Sequence, residues 1–389
     1  MNNELSCKFG SIRINISASN NPYNTTYEIW CPYSNKYCSQ LLDTVSFWIE
    51  GVIATAIGFT GILMNIIFCY VLSRREMRNV FNFLLIALVF FDNIYLLCHS
   101  LEAFRLHFSM TSEIYILLIP KFFYPLRRIA FCSSMFMIIA ISMERYIAVS
   151  RPISLHLNIR NDRKQQIKRV LKYVLPVFIS SVIVCLPSFF STSTYYDDEL
   201  KLLQLKIRDK FRQSPNYGVY YKGIIRLLIG AIIPFSTILC LNFKTYGIIR
   251  KRRKNQTSLN LSNDNEKRIN NEEIESPFIL RRHLAVASVE KSSEENLSII
   301  FLAIAIIFVV CHSPRAVIHL YDIIAAGKYL DCTNAGYSGS PVWYRFVYDI
   351  GHAFAAINSS VNSAVYCVFS SKYREQAKKS LRCFKFLRN

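Results

Sequence analysis

The residues able to do chemistry in this chain are charged and amide side chains set inside apolar sequence. Asp92 lies within the apolar run that starts at Val80, and Asn65, Ser134, Asn358, Ser359 and Asn362 interrupt three other apolar stretches in the same way. Glu144-Arg145-Tyr146 follows the run Phe131–Ile141 directly, with Pro152 and Ile153 just beyond. Asp92 is about 18 Å into its stretch at a helical rise, near the middle of a bilayer. Burying a carboxylate there costs roughly a few kcal/mol unless something pairs with it, so Asp92 is functional by default and the amides and hydroxyls are its natural partners. The available chemistry is the holding and switching of charge. No nucleophile–base pair, metal-ligand set or phosphate loop is visible, and the chain is read as not an enzyme.

These residues need long apolar helices to position them. In 389 residues, 52% are hydrophobic and 14% aromatic, and only 12 are glycine, which is too apolar for an ordinary soluble domain and argues against a sheet-rich one. Seven apolar stretches follow one another, at 46–72, 80–101, 120–147, 170–192, 222–249, 297–325 and 343–368. Each is near or above the ~20 residues that a helical crossing needs. The expected fold is all-α: a polytopic membrane protein, a seven-transmembrane helix bundle with a short amphipathic helix after the seventh span. Pro176, Pro187, Pro234 and Pro314 lie inside spans and permit kinks there. Arg127 precedes Arg145 by about 27 Å of helix, which puts both ends of the third span in water.

The formal net charge of +20 comes mainly from Lys and Arg between spans. Arg74, Arg75 and Arg78, the group Arg160–Arg169, the run Arg250–Lys254 and Lys372–Lys379 follow the first, third, fifth and seventh stretches. By the positive-inside rule these regions face the cytoplasm. The protein is then a multi-pass plasma-membrane protein with its amino terminus extracellular and its carboxy terminus cytoplasmic; the basic balance is assigned to the bilayer, and nucleic acid is no partner. Residues 1–45 are expected to be an extracellular, glycosylated segment with sequons at Asn15 and Asn24, and residues 46–369 the seven-span membrane domain. Within it, 250–296 is rich in Asn, Ser, Glu and Lys and is read as a disordered cytoplasmic loop. Residues 370–389 are the amphipathic helix and tail, where Cys383 is a candidate for lipidation. The twelve cysteines have no metal-ligand spacing. Pairing among Cys7, Cys31, Cys38, Cys98 and Cys332 stays open, including a tether from the amino terminus to the last outer loop.

Taken in order, Gly61-x-x-x-Asn65, Leu88-x-x-x-Asp92, Glu144-Arg145-Tyr146 with Pro152, Pro234, Cys311-His312-Ser313-Pro314 and Asn362-x-x-x-Tyr366 resemble the rhodopsin-like (class A) G-protein-coupled receptors. The resemblance covers about residues 46–375. Within that class, Tyr124-Pro125, Arg145-Tyr146-Ile147-Ala148-Val149, Ile232-Ile233-Pro234-Phe235 and Ile357-Asn358-Ser359-Ser360-Val361-Asn362 are similar to invertebrate FMRFamide-type neuropeptide receptors. There are departures. Pro120 stands about where most such receptors have a cysteine, Ser191–Tyr221 contains no cysteine, His312 replaces a tryptophan, and Ser363 replaces a proline.

The resemblance implies a function: a cell-surface receptor activated by a neuropeptide, FMRFamide-like, that promotes nucleotide exchange in a heterotrimeric G protein, with arrestin as a further partner. It implies that Glu144 holds Arg145 at rest and that Arg145 turns to the G protein when the sixth helix moves. Tyr146, Pro152, Pro234, His312, Pro314, Asn362 and Tyr366 belong to the same switch, and Ile153 docks into the G protein. Asn65, Asp92, Ser134, Asn358, Ser359 and Asn362 resemble the family's sodium pocket, so no cofactor is expected beyond a sodium ion as allosteric modulator. The ligand-binding candidates are Glu102, Arg127, Arg128, Arg226, Arg315, His319, Asp322, Arg345, Asp349 and His352, a charged mouth suited to a peptide. Glu102, Asp322 or Asp349 would take a peptide guanidinium, and the surplus of arginine argues equally for an acidic group in the ligand. The alternatives are a receptor of this class for a non-peptide ligand and a seven-helix transporter or channel. Arg127 stands roughly where amine receptors carry an aspartate, and the repeats and broken helices of transporters are not seen.

Overall fold

The computed structural model describes residues 9–17, 26–34, 36–108, 113–150, 163–190, 192–197, 202–207, 217–269, 302–325, 332 and 340–386. Among these, seven long helices cross one bundle: α1 Cys38–Leu72, α2 Val80–His107, α3 Ile114–Ser150, α4 Lys164–Phe189, α5 Val219–Arg252, α6 Leu302–Ala325 and α7 Val342–Phe369. A shorter α8, Ser371–Phe386, follows. The chain is a multi-pass membrane protein. Helices form because hydrocarbon offers the backbone no hydrogen-bonding partner, so each crossing segment must satisfy its own amides. Most of them run past the apolar stretches, as α1 does in starting at Cys38 within the segment expected to be extracellular. Hydropathy reads the part in lipid, while the hydrogen-bond ladder continues into the polar interface. Among the described residues six helices are apolar enough to cross by composition alone. α7 is not, because its inward face carries Asn358, Ser359, Asn362, Ser363, Asp349 and His352, all buried.

α3 packs against α2, α4 and α5, while α7 packs against α1 and α2. Phe68, Leu84, Met137, Ile238 and Phe308, from five helices, are fully buried in the shared core. Leu63, Ile66 and Ile67 of α1 and Ile179 and Ile183 of α4 are exposed, an apolar outer face that suits lipid. Gly61 allows α1 to approach α7, since a Cβ there would collide with the Ser360 side chain. Asn79 caps α2, its side chain accepting from the Asn82 amide at 2.7 Å, and Arg105 and His107 occupy the last turn of α2, where cations complement the helix dipole. α8 returns to the bundle through Tyr373, whose ring lies 5.3 Å from Phe68.

Two antiparallel hairpins add to the all-α expectation. β1 Phe9–Ser17 pairs with β2 Thr26–Ser34, with Asn15 opposite Glu28, and β3 Thr192–Asp197 pairs with β4 Leu202–Ile207 between α4 and α5. Ile12, Ile14 and Ile16, and Tyr27, Ile29 and Cys31, alternate with period two, a strand signal that the polar composition of the segment conceals. Cys31 forms a disulfide with Cys332, with Cα atoms 5.5 Å apart across 301 residues of sequence. The tether left open by sequence is therefore this bridge; Cys38 is disulfide-bonded too, and Cys98 is a free thiol. The expected disorder of 250–296 is corrected for its first part, because the helix of α5 continues to Ile269. Residues 270–296, Asn24 and Cys7 lie outside the described residues, as do Pro152 and Ile153.

Candidate functional site: polar groups along the bundle

The polar residues inside the spans converge. Asp92 is fully buried and its two carboxylate oxygens accept from Ser134 Oγ of α3 at 2.5 Å and Asn362 Nδ2 of α7 at 2.9 Å. Asn65 of α1 donates to the Ser359 carbonyl at 3.1 Å and to Asn93 Oδ1 at 3.0 Å. Asn358 and Ser359 are buried in the same region. One carboxylate thus joins α2, α3 and α7 at their middle, as a buried charge requires.

Toward the end of the bundle that carries the Cys31–Cys332 bridge lies a cavity of about 120 Å³. Arg127 and Arg128 of α3, Arg226 of α5, Arg315 and His319 of α6 and His352 of α7 line it. Rings and neutral oxygens hold the guanidiniums. Arg315 lies 4.3 Å over Phe131 and donates to Tyr95 Oη and the Gly351 carbonyl, each at 3.2 Å; Arg128 donates to Tyr124 Oη at 2.9 Å, and Arg226 lies 5.1 Å over Tyr221. Among the described residues none of these four arginines has a carboxylate at ion-pair distance, and the Nε atoms of Arg128 and Arg226 are buried without a hydrogen-bond partner.

The other ligand candidates are elsewhere. Glu102 is committed to Arg105 of its own helix at 2.8 Å, and Asp322 accepts from Tyr344 at 2.8 Å with His319 at 3.9 Å. Asp349 and Arg345 line a second cavity of about 520 Å³ with Asp43, Glu50 and His107, where Arg345 pairs with Asp43 and Ser46 donates to Asp349, both at 2.6 Å. The ten candidates therefore do not form one mouth. Cations line one cavity, acids are enriched in another, and Tyr348 borders both.

At the opposite end, the expected Glu144–Arg145 pair is corrected. The Glu144 carboxylate binds Arg169 Nη2 at 2.8 Å and accepts from Tyr173 Oη at 2.7 Å, both on α4. Neighbours in a helix point about 100° apart, so Glu144 turns to α4 while Arg145 turns inward. Arg145 covers the Phe81 ring at 3.2 Å. Tyr366 is buried between Phe68 and Phe81 with its hydroxyl unpartnered among the described residues. Tyr146 is half-buried on α3. His312 packs on Phe308 at 4.3 Å and Phe131 at 5.3 Å, linking this core to the arginine cavity. Pro234 and Pro314 lie within the α5 and α6 helices. Asn15 is on β1, and Cys383 is in the last turn of α8, its side chain outside the described residues.

Sequence reasoning missed Arg169 and Tyr173, which look like ordinary interfacial residues, and Glu50 and His99, which interrupt apolar runs as Asp92 does and were legible by the same rule.

The sequence matches the family described as 7 transmembrane receptor (rhodopsin family) over residues 29–366. It is 25% identical over 343 residues to an FMRFamide receptor of Drosophila melanogaster, a match covering 85% of this chain and 53% of that protein. It is 21% identical over 326 residues to the FMRFamide peptide receptor frpr-18 of Caenorhabditis elegans, covering 82% and 66%. The chain thus spans about half to two thirds of the length of these relatives. With one family covering the bundle from α1 to Tyr366, the chain belongs to the rhodopsin family of seven-transmembrane receptors.

Proposed function

We propose that this protein is a plasma-membrane receptor activated by an extracellular neuropeptide, FMRFamide-like in class, and that it promotes nucleotide exchange in a heterotrimeric G protein, with arrestin as a second cytoplasmic partner. The observation that carries the ligand reading is the cavity of four arginines with no carboxylate at ion-pair distance among the described residues. Desolvated cations of one sign call for an anion from the ligand. The acidic side cavity with Asp43 and Asp349 suits the peptide's guanidinium, so a short peptide carrying both charges would span the two. The Cys31–Cys332 bridge suits an oxidising exterior, and Arg74, Arg169 and Arg252 at the opposite end suit a cytoplasmic face. In this orientation Asn15 and Asn24 are available to glycosylation and Cys383 to acylation.

The clasp of Glu144 to Arg169 and Tyr173 favours the conformation seen here, which we take as the resting one because Arg145 lies against Phe81. Glu144→Gln and Arg169→Ala are each expected to raise basal exchange roughly two- to fivefold, a shift of about 1 kcal/mol in the resting population, and the double variant no further. Silence of Arg169→Ala beside an active Glu144→Gln would return the restraint to Arg145.

Asp92, Ser134, Asn358 and Ser359 offer a carboxylate and neutral oxygens in one buried cluster, a donor set that fits a sodium ion. Such an ion would neutralise the buried charge, with Asp92 holding it and the neighbouring hydroxyls and amides as the other oxygen donors. The test is expression with promiscuous G proteins and a panel of amidated and acidic neuropeptides, with and without sodium. Activation by a peptide, with sodium lowering agonist affinity in the parent and not in Asp92→Asn, is the expected result. Silence across the panel at normal surface expression would overturn the peptide reading, and an unchanged sodium response in Asp92→Asn would overturn the sodium site alone.

A further inference from the structure

We propose that Glu50 of α1, His99 of α2 and His352 of α7 bind a divalent transition-metal ion, Zn²⁺ by the chemistry of the set, between the two cavities. The three side chains are buried, and their donor atoms all lie within 4.8 Å of one another. His352 Nδ1 is 2.6 Å from Glu50 Oε1. An ion pair of these two alone would be a sufficient structural account of the cluster if His99 were satisfied. It is not: both ring nitrogens of His99 are buried without a hydrogen-bond partner among the described residues, and the ring itself has no exposure. Its stacking on Tyr95, 5.8 Å away and nearly parallel, fixes the plane of the ring without using either nitrogen. A buried orphan of this kind requires an explanation.

Two imidazoles and a carboxylate are a zinc set, since calcium and magnesium take oxygen donors. Tetrahedral coordination with bonds of about 2.0–2.2 Å needs donors about 3.3 Å apart. The donors here lie between 2.6 Å, for His352 Nδ1 and Glu50 Oε1, and 4.8 Å of one another, so metal binding would open that pair and draw the wider ones in. His107, whose Nε2 is buried 3.9 Å from Glu50 Oε2 and has no hydrogen-bond partner among the described residues, is placed beside Glu50, and a water would fill the fourth position. The site has an entry on each side. Glu50 and His107 line the 520 Å³ cavity, and His352 lines the arginine cavity. A π-helical turn, Phe47–Ala54, turns Glu50 inward. Residues 50, 99 and 352 are far apart in sequence, so no ligand spacing announces the site, and the absence of a metal set inferred from sequence is revised by this proposal. A bound ion would lock α1, α2 and α7 together beside the cavities and thereby tune how the receptor takes its ligand. The metal site does not depend on that ligand being a peptide.

The test uses the full chain in lipid nanodiscs, in a Cys132→Ser/Cys185→Ser background, because those two thiols lie 3.4 Å apart and would themselves attract zinc. Zn²⁺ alone is titrated by competition with a chromophoric chelator, and Co²⁺ serves as the spectroscopic probe. The expected result is one saturable Zn²⁺ per chain, visible cobalt d–d bands, and an affinity lowered at least about tenfold in His99→Gln and in His352→Gln, with His319→Gln unchanged. Thermal unfolding of metal-free variants checks their folding, and the zinc titration of the unvaried site needs no folded variant. Absence of saturable binding there, or binding by His99→Gln and His352→Gln as tight as that of the unvaried site, overturns the proposal.

Discussion

Replacing Cys332 with serine is expected to cost about 2–4 kcal/mol of stability and to reduce the receptor at the cell surface severalfold. The bridge to Cys31 spans 301 residues of sequence and is buried at both ends. A chain-entropy account for so long a loop would give a value at the upper end. Helices already inserted in a bilayer restrict the unfolded chain, which lowers it. The bridge ties the hairpin of β1 and β2 to the segment preceding α7, the helix that carries Arg345, Asp349 and His352. Agonist affinity should therefore fall with stability. Cys31→Ser should match Cys332→Ser, and the double variant should be no worse than either single, because one interaction is removed in all three. Thermal unfolding of detergent-solubilised receptor and surface labelling measure this. A double variant markedly worse than the singles would mean that each cysteine contributes separately.

Arg226→Ala is expected to raise the half-maximal concentration of an acidic agonist about 10- to 100-fold, and Arg226→Glu further. A charged hydrogen bond in a desolvated site is worth about 1.5–3 kcal/mol, and each 1.4 kcal/mol is about tenfold. Among the described residues Arg226 lies over the Tyr221 ring with its Nε buried and unpartnered and no carboxylate at ion-pair distance, so its removal breaks no ion pair among them. Arg345→Ala provides the contrast: its partner Asp43 is exposed, and an exposed pair contributes about 0–1 kcal/mol. A peptide whose acidic group is converted to an amide should lose potency on the parent receptor and lose nothing more on Arg226→Ala. Additive losses would place the anion elsewhere.

Much of the bundle was legible without coordinates because lipid imposes a local rule. A segment that crosses must be helical and apolar whatever surrounds it, so the apolar stretches located α1 to α6 and the kink prolines within them. The same rule exposed Asp92 and its amide and hydroxyl neighbours, since a costly buried group requires partners and few were on offer. It would equally have exposed Glu50 and His99. α7 was legible as an apolar stretch like the others, although its polar face lowers its hydropathy, and the hairpin of β1 and β2 was hidden because the polar composition masks a period of two in Ile12, Ile14 and Ile16.

By itself the sequence determined that the chain is a helical membrane protein of seven spans, the order of the spans, the membership of the polar core around Asp92, and the motifs that resemble the rhodopsin family. Only the tertiary structure decided the pairings. Glu144 had Arg145 beside it in sequence and binds Arg169; Cys31 had several candidates and joins Cys332. Glu102, grouped with the ligand residues, is paired with Arg105, while four arginines line one cavity with no carboxylate at ion-pair distance among the described residues. Burial cost belongs to one residue and its helix, so it can be read locally. A hydrogen bond or ion pair depends on distances of a few ångströms between helices, and those are set by how all seven pack.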